Sequence, residues 1–393
     1  MPFIPSMLPG YVWDSGEDPR AGTELPRSVS INLQTAEVWI VSRGHGTCPL
    51  ELGRNGEAMY YAGGMNANSI QAVNWFDGSP RQLEGGTFWP QLAPTIHGFR
   101  GNGPSSIVTF INGLEYPAIP ASTPATSGGM IGKDTSFNGI YPFAGDVYRV
   151  LIYSANLSSA NRVHLLTYLR DRYEVEPYDA QVIFDGSSLE AGYNSVENRI
   201  LNGWSGGDHT YGYPWHIAHT RRNWKCLNHG ICGETIKHLH DHAAAAIDPY
   251  FDVALGENII VLGSPTNDLL FGANLADVED VYMQYVADRQ AVGFKVLAQL
   301  MPDRANFSAG QRADMDIFNQ RLVAGMYGVD KVGLLPASLS GFSWWKTNPS
   351  KADSDLTHLS RFGYQDWAAA TLTALDSFFG LPIGMNHRLL KPF

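Results

Sequence analysis

Gln181-Val182-Ile183-Phe184 runs without a break into Asp185-Gly186-Ser187-Ser188-Leu189-Glu190-Ala191-Gly192. A short, uninterrupted apolar run reads as a strand buried on both faces, the pattern of a parallel sheet rather than of a half-exposed hairpin. The glycines behind it permit a sharp turn. A serine between such a strand and such a turn projects its hydroxyl at the sheet's edge and leaves its own backbone N–H available.

The same rhythm recurs downstream. Apolar runs at Trp224–Asn228, Asn258–Leu262, Phe294–Leu300 and Lys331–Leu335 are further buried-strand candidates. Helical patterns at Thr235–Ala246, Val278–Gln290, Ala309–Tyr327 and Ser360–Phe379 separate or follow them. Strands alternating with helices imply right-handed βαβ units and a three-layer α/β sandwich. In such sheets ligands sit at the carboxyl ends of the strands, so the chemistry belongs to the residues just after each one.

Those residues form a series. After Ser188 come His229-Gly230-Ile231-Cys232-Gly233, then Gly263-Ser264-Pro265-Thr266-Asn267-Asp268, and last Asp355-Leu356-Thr357-His358. Asp355 and His358, three residues apart on one turn, suit a carboxylate that orients an imidazole toward a serine. Gly233 offers an unobstructed N–H near a helix start and Asn267 a side-chain amide. With the N–H of Ser188 they make three donors for a developing oxyanion. The set resembles the blocks of the SGNH (GDSL-type) hydrolases, and the likeness spans nearly all of residues 180–380. The resemblance implies a serine esterase without cofactor: Ser188 as nucleophile, His358 as base, Asp355 as its orienter, and Ser188, Gly233 and Asn267 as the oxyanion hole.

The chain departs from that family in four places. Gly-Asp-Ser becomes Gly186-Ser187-Ser188, Glu190 stands where threonine is usual, Cys232 replaces a small serine, and no proline follows His358. Trp204, Tyr211, Trp215, Trp344 and Trp345 flank the first and last blocks as candidate substrate-binding aromatics, with core or interface packing as the equal alternative. Cys226, His229, Cys232, His238, His240 and His242 suggest zinc. Yet His238, His240 and His242 alternate along a helix, so adjacent members cannot share a face, and no metal is expected.

The first 176 residues have another texture. Short β-type runs (Ser28–Leu33, Glu37–Ser42, Ser69–Trp75, Ser106–Ile111, Asp146–Tyr153) alternate with Gly, Pro and Asn, and Asn112-Gly113 is a hairpin signal. A helix capped by Ser158, with Val163, Leu166, Leu169 and Tyr173 at helical spacing, closes the segment. The order Asn112-Gly113, Ile131-Gly132, Gly145-Asp146, Tyr153, Leu157-Ser158, Tyr168-Leu169 resembles the end of laminin-G-like (concanavalin-type) β-sandwich domains. That likeness implies a carbohydrate-binding or attachment role for residues 1–176 beside a catalytic domain at 177–393.

Composition agrees with two globular domains. The 393 residues are 44% hydrophobic and 12% aromatic, with a net charge of −11, which argues against a nucleic-acid binder. Three cysteines (Cys48, Cys226, Cys232) make no disulfide framework. The proline-broken N-terminus does not read as a signal peptide, and no apolar run reaches membrane-spanning length, so a soluble protein without membrane insertion is expected. The favoured substrate is a short acyl ester, acetyl above all because no long acyl tunnel is visible, on a small molecule or an acetylated polysaccharide. Action outside the cell or on a virion surface fits the same reading. The alternative is a structural or glycan-binding protein on a hydrolase fold that has lost its activity. The oligomeric state is open.

Overall fold

The computed structural model describes residues 11–14, 23–32, 34–46, 50–52, 58–62, 70–73, 87–88, 94–115, 118–120, 125–131, 143–193, 212–221, 223–333 and 357–379. Among these, one compact unit runs to Tyr178 and a second begins at Asp179.

The first unit holds two antiparallel sheets. One orders the strands Tyr11–Asp14, Phe143–Tyr153, Glu37–Gly46, Thr95–Gly101, Ser106–Ile111 and Leu114–Glu115. The other orders Thr23–Asn32, Ala125–Ile131, Leu50–Leu52, Ala58–Ala62 and Ile70–Val73. The turn after Ser106–Ile111 falls at Asn112-Gly113, where both residues take positive φ (48° and 90°), as a tight two-residue hairpin loop requires. Asn112 also accepts the Ile96 N–H on its side-chain oxygen at 2.9 Å, tying the turn to the preceding strand Thr95–Gly101.

A helix at Ser159–Tyr173 follows, capped by the Ser158 side chain, which accepts the Asn161 N–H. Its buried stripe is Leu165 and Leu169, packed on Trp39, Val41, Ile96, Phe110 and Leu151. Val163, expected on that stripe, points to solvent at 62% exposure. Two overlapping stripes satisfy the same helical spacing, and the fit against Trp39 and Phe110 selects between them. A buried carboxylate binds helix to strand. Glu37 takes both ends of the Arg162 guanidinium (2.9 and 3.1 Å), the Trp39 indole N–H (2.9 Å) and the Leu157 N–H (2.8 Å). Four donors around one carboxylate compensate its desolvation.

The second unit is built on five parallel strands: β1 (Ala180–Asp185), β2 (Trp224–Asn228), β3 (Glu257–Leu262), β4 (Lys295–Gln299) and β5 (Lys331–Gly333). They pair in the order β5-β4-β3-β1-β2. Every residue of β1 and all but the first of β3 are buried. Successive side chains point to opposite faces, so both faces of the sheet are covered.

Among the described residues, seven helices belong to this unit: α1 (Ser188–Ala191), α2 (Tyr213–Thr220), α3 (Ile236–Ala246), α4 (Thr266–Leu270), α5 (Leu275–Val292), α6 (Ala309–Val323) and α7 (Arg361–Asp376). Helix α2 packs against α7, and α3 against α5, in two separate groups. Local chemistry sets their starts. Thr235, Asn274, Ser308 and Ser360 cap α3, α5, α6 and α7 with their side-chain oxygens. The expected strands and long helices are present to within a few residues. The short helices α1, α2 and α4 were not expected.

The strand order reverses direction between β1 and β3. That reversal is the topological switch point, where neighbouring connections leave in opposite directions and a crevice opens at the carboxyl ends. Ser188 follows β1 and Asn267 follows β3, so the two candidates flank the crevice. No helix among the described residues is long and apolar enough to cross a membrane.

Candidate active site

Ser188 is the first residue of α1, immediately after the turn Asp185-Gly186-Ser187. A four-residue helix has little stability of its own, so its position comes from tertiary bonds. Glu190 supplies one from within. Its carboxylate, 1% exposed, accepts the Ser187 N–H at 2.8 Å and the Tyr213 O–H at 3.2 Å. Burial pushes its pKa up to about 7, against the opposing pull of the donors around it. The carboxylate lies against Gly186 and Gly263, where a Cβ would come within 2.2 and 2.7 Å of its Oε2 atom. Neighbouring Asp185 is also pushed up to about 7 by burial, and it accepts a hydrogen bond from the Tyr285 hydroxyl. Two buried carboxylates thus flank Ser188 in sequence.

The segment after β2 is laid directly on this turn. His229 N donates to Phe184 O (2.7 Å), Ile231 N to Gly186 O (3.0 Å), and the Asn228 amide to Glu190 O (3.0 Å). Backbone meets backbone at Gly230, where a Cβ would lie 2.2 Å from Ala191 N. On the other flank, Asn267 Nδ2 donates to Glu234 O at 2.9 Å. The Asp268 carboxylate receives the Ile236 N–H at 3.0 and 3.2 Å. Gly233 lies between these anchors with φ +86°, a conformation that side chains strain to adopt, and nothing beyond its chain neighbours lies within 4 Å of where a Cβ would sit.

His358 comes from a position 170 residues away in sequence, just before α7, and its Nε2 lies 2.8 Å from Ser188 Oγ. Both residues are buried to 9% exposure. The Tyr193 ring packs edge-on against the imidazole, with centroids 4.6 Å apart. Tyr193 is itself held by its N–H to Ser188 O (3.0 Å) and by the Tyr364 hydroxyl on its carbonyl (2.9 Å). An imidazole whose Nε2 faces a serine hydroxyl can take that proton and return it, given a partner on Nδ1. Asp355, the candidate for that partner, lies outside the described residues.

Of the candidate aromatics, Trp204, Tyr211, Trp344 and Trp345 also lie outside the described residues. Trp215 is half-buried on α2, its ring edge-on to His216 at 4.9 Å. The cysteines and histidines considered for zinc are dispersed. Cys226 is buried in β2 and Cys232 is exposed, while His238 pairs with Glu234 and His240 with Asp288. Among the described residues no three His, Cys, Asp or Glu side chains are arranged to hold a metal ion.

Sequence reasoning missed several contributors. Gly230 had a visible signal, a glycine directly after a strand. Glu190 was noted only as an unusual residue. Tyr193 and Arg304, whose guanidinium reaches Asn267 Oδ1 at 3.0 Å, carry no local signal.

No protein-family model and no curated protein sequence matches the chain. Solved structures do resemble about half of it. A lipolytic protein of the G-D-S-L family from Veillonella parvula is 19% identical with a TM-score of 0.40, the match covering 51% of this chain and 100% of that one. The acetylxylan esterase Axe2 from Geobacillus stearothermophilus is 14% identical with a TM-score of 0.39, covering 50% and 94%. AlinE4, an SGNH-hydrolase family esterase, is 21% identical with a TM-score of 0.34, covering 53% and 98%.

Proposed function

We propose that this protein is a serine ester hydrolase acting on short acyl esters, with acetyl as the preferred group. The observation that carries the reading is the 2.8 Å contact of Ser188 Oγ with His358 Nε2 at the switch point of a parallel sheet. As Ser188 Oγ attacks the ester carbonyl carbon, His358 Nε2 takes the hydroxyl proton. Negative charge collects on the former carbonyl oxygen, where the N–H groups of Ser188 and Gly233 and the Asn267 amide receive it. Collapse expels the alkoxide, which leaves as an alcohol with the proton from His358. Water, deprotonated by the same imidazole, then attacks the acyl-serine; collapse breaks the acyl–Oγ bond, His358 returns the proton to Ser188 Oγ, and the carboxylic acid leaves. In this reading Asp355 would accept the hydrogen bond from Nδ1–H and so fix the imidazole tautomer. Each oxyanion donor contributes about 3 kcal/mol to transition-state stabilisation.

The natural target in this reading is an acetylated polysaccharide. The first unit would serve as a laminin-G-like β-sandwich that binds glycan or attaches the enzyme, and Trp215 with Trp204, Tyr211, Trp344 and Trp345 would supply stacking surfaces. The two antiparallel sheets and the closing helix of the first unit support the sandwich.

The test is hydrolysis of p-nitrophenyl acetate, followed by acetate release from a panel of acetylated polysaccharides. Ser188→Ala abolishes both, Ser187→Ala retains both, and a fluorophosphonate labels Ser188. Labelling of Ser187 instead, or wild-type turnover by Ser188→Ala, overturns the assignment.

A further inference from the structure

We infer that Arg304 is a positioning residue for the oxyanion donor: it fixes which end of the Asn267 amide faces the reacting carbonyl. The inference rests on the oxyanion role of Asn267 proposed above. A side-chain amide has a donor end and an acceptor end of nearly equal shape, and rotation by half a turn exchanges them. Only the Nδ2 end can stabilise a developing oxyanion; the Oδ1 end would repel it.

The surroundings of Asn267 discriminate between the two orientations. At Oδ1 stands the Arg304 guanidinium, its Nη1 donating at 3.0 Å. A guanidinium has five N–H donors and no acceptor, so it bonds only the oxygen end. At Nδ2 stands the Glu234 carbonyl oxygen at 2.9 Å, which accepts only from the nitrogen end. Flipping the amide would face N–H against N–H on one side and oxygen against oxygen on the other. With Nδ2 held this way, one of its two hydrogens serves Glu234 and the second remains for the substrate oxyanion. The positive charge behind Oδ1 also polarises the amide, which strengthens Nδ2–H as a donor.

Arg304 is itself held. It is 8% exposed, its guanidinium carbon lies 5.8 Å from the centre of the Phe307 ring, and its backbone oxygen accepts from Arg312 Nη2 at 3.1 Å. Arg312 also grips the Asp303 carboxylate at 3.1 Å and Ala305 O at 3.2 Å. From the same helix α6, Gln311 Nε2 donates to Leu269 O at 2.6 Å, on the segment that bears Asn267. The loop that carries the guanidinium and the helix that carries the amide are therefore fastened to one frame.

The experiment is a double-mutant cycle on the full-length chain with p-nitrophenyl acetate. Asn267→Ala is expected to lower kcat by about 100-fold or more. Arg304→Met is expected to lower kcat by about 10-fold or more with KM within about twofold of wild type and the pH profile unmoved, because a guanidinium does not titrate in the working range. In the Asn267→Ala background Arg304→Met should change kcat by less than about twofold, since the amide it acts through is gone. Arg304→Lys keeps a buried, donor-only cation and should recover part of the kcat. If Arg304→Met fails to fold, the same cycle is run with Arg304→Lys, whose smaller loss should likewise vanish in the Asn267→Ala background. A wild-type kcat in a folded Arg304→Met, with Asn267→Ala impaired, overturns the inference and leaves the oxyanion reading standing. An equal fractional loss in both backgrounds also overturns it, because Arg304 would then act elsewhere. A wild-type kcat in Asn267→Ala overturns the oxyanion assignment and this inference with it.

Discussion

Glu190→Gln isolates the effect of burying an ionisable group beside Ser188. In the folded chain this carboxyl is pushed up to about 7, whereas the unfolded chain should titrate it near the ordinary ~4.3. Between those values the folded state binds a proton that the unfolded state has released, so stability falls as pH rises through this window. Below about pH 4 both states are protonated and the penalty is absent. Above about pH 7 both are ionised and the penalty is complete, on the order of 3 kcal/mol. Glutamine carries no charge and its amide oxygen can still accept the Ser187 N–H, while its NH2 end can donate to the Tyr213 oxygen. The variant should match wild type or fall slightly below it near pH 4.5 and exceed it by about 2–3 kcal/mol near pH 8. Asp185 titrates in the same window and stays in place, so part of the pH slope persists. Urea unfolding of the full chain at half-unit steps from pH 4.5 to 8, followed by intrinsic fluorescence, measures the difference curve. Parallel stability curves for the two proteins across this range would refute the reasoning.

Other expectations follow from single contacts. Gly230→Ala places a Cβ 2.2 Å from Ala191 N, against backbone that has no room to yield; kcat should drop by about 100-fold and stability by about 1–3 kcal/mol, read from ester hydrolysis and urea melts. Serine–histidine chemistry uses no metal ion, so ester hydrolysis should survive exhaustive EDTA treatment; loss of activity that returns with zinc would contradict the mechanism.

The parallel sheet was legible because strands buried on both faces are written as unbroken apolar runs, and Trp224–Asn228 was read to the residue. The hairpin at Asn112-Gly113 was legible because the turn's chemistry is local. Helix α2 was missed because its eight residues, with Pro214 in the first turn, are too few to show a helical period, although proline there loses no intrahelical bond. Val163 was assigned to a buried stripe because periodicity does not distinguish overlapping faces. The candidate site divides the same way. Ser188 and His358 could be named from residues following strands, and the structure brings them into contact. The roles of Glu190, Tyr193 and Arg304 toward Tyr213, His358 and Asn267 depend on partners 23, 165 and 37 residues away in sequence, distances over which no spacing rule operates.

The clamping of residues 229–236 has a thermodynamic consequence. Gly186 and Phe184 hold one flank of this segment, Asn267 and Asp268 the other, so its amides are ordered before any ligand arrives. The entropy of aligning them is lost once, when the chain folds, and not again in each passage over the barrier. Hydrolysis should therefore show an activation entropy close to that of a reaction whose solvent shell is already arranged. Loosening one flank should appear first as a more negative activation entropy, with the activation enthalpy little changed.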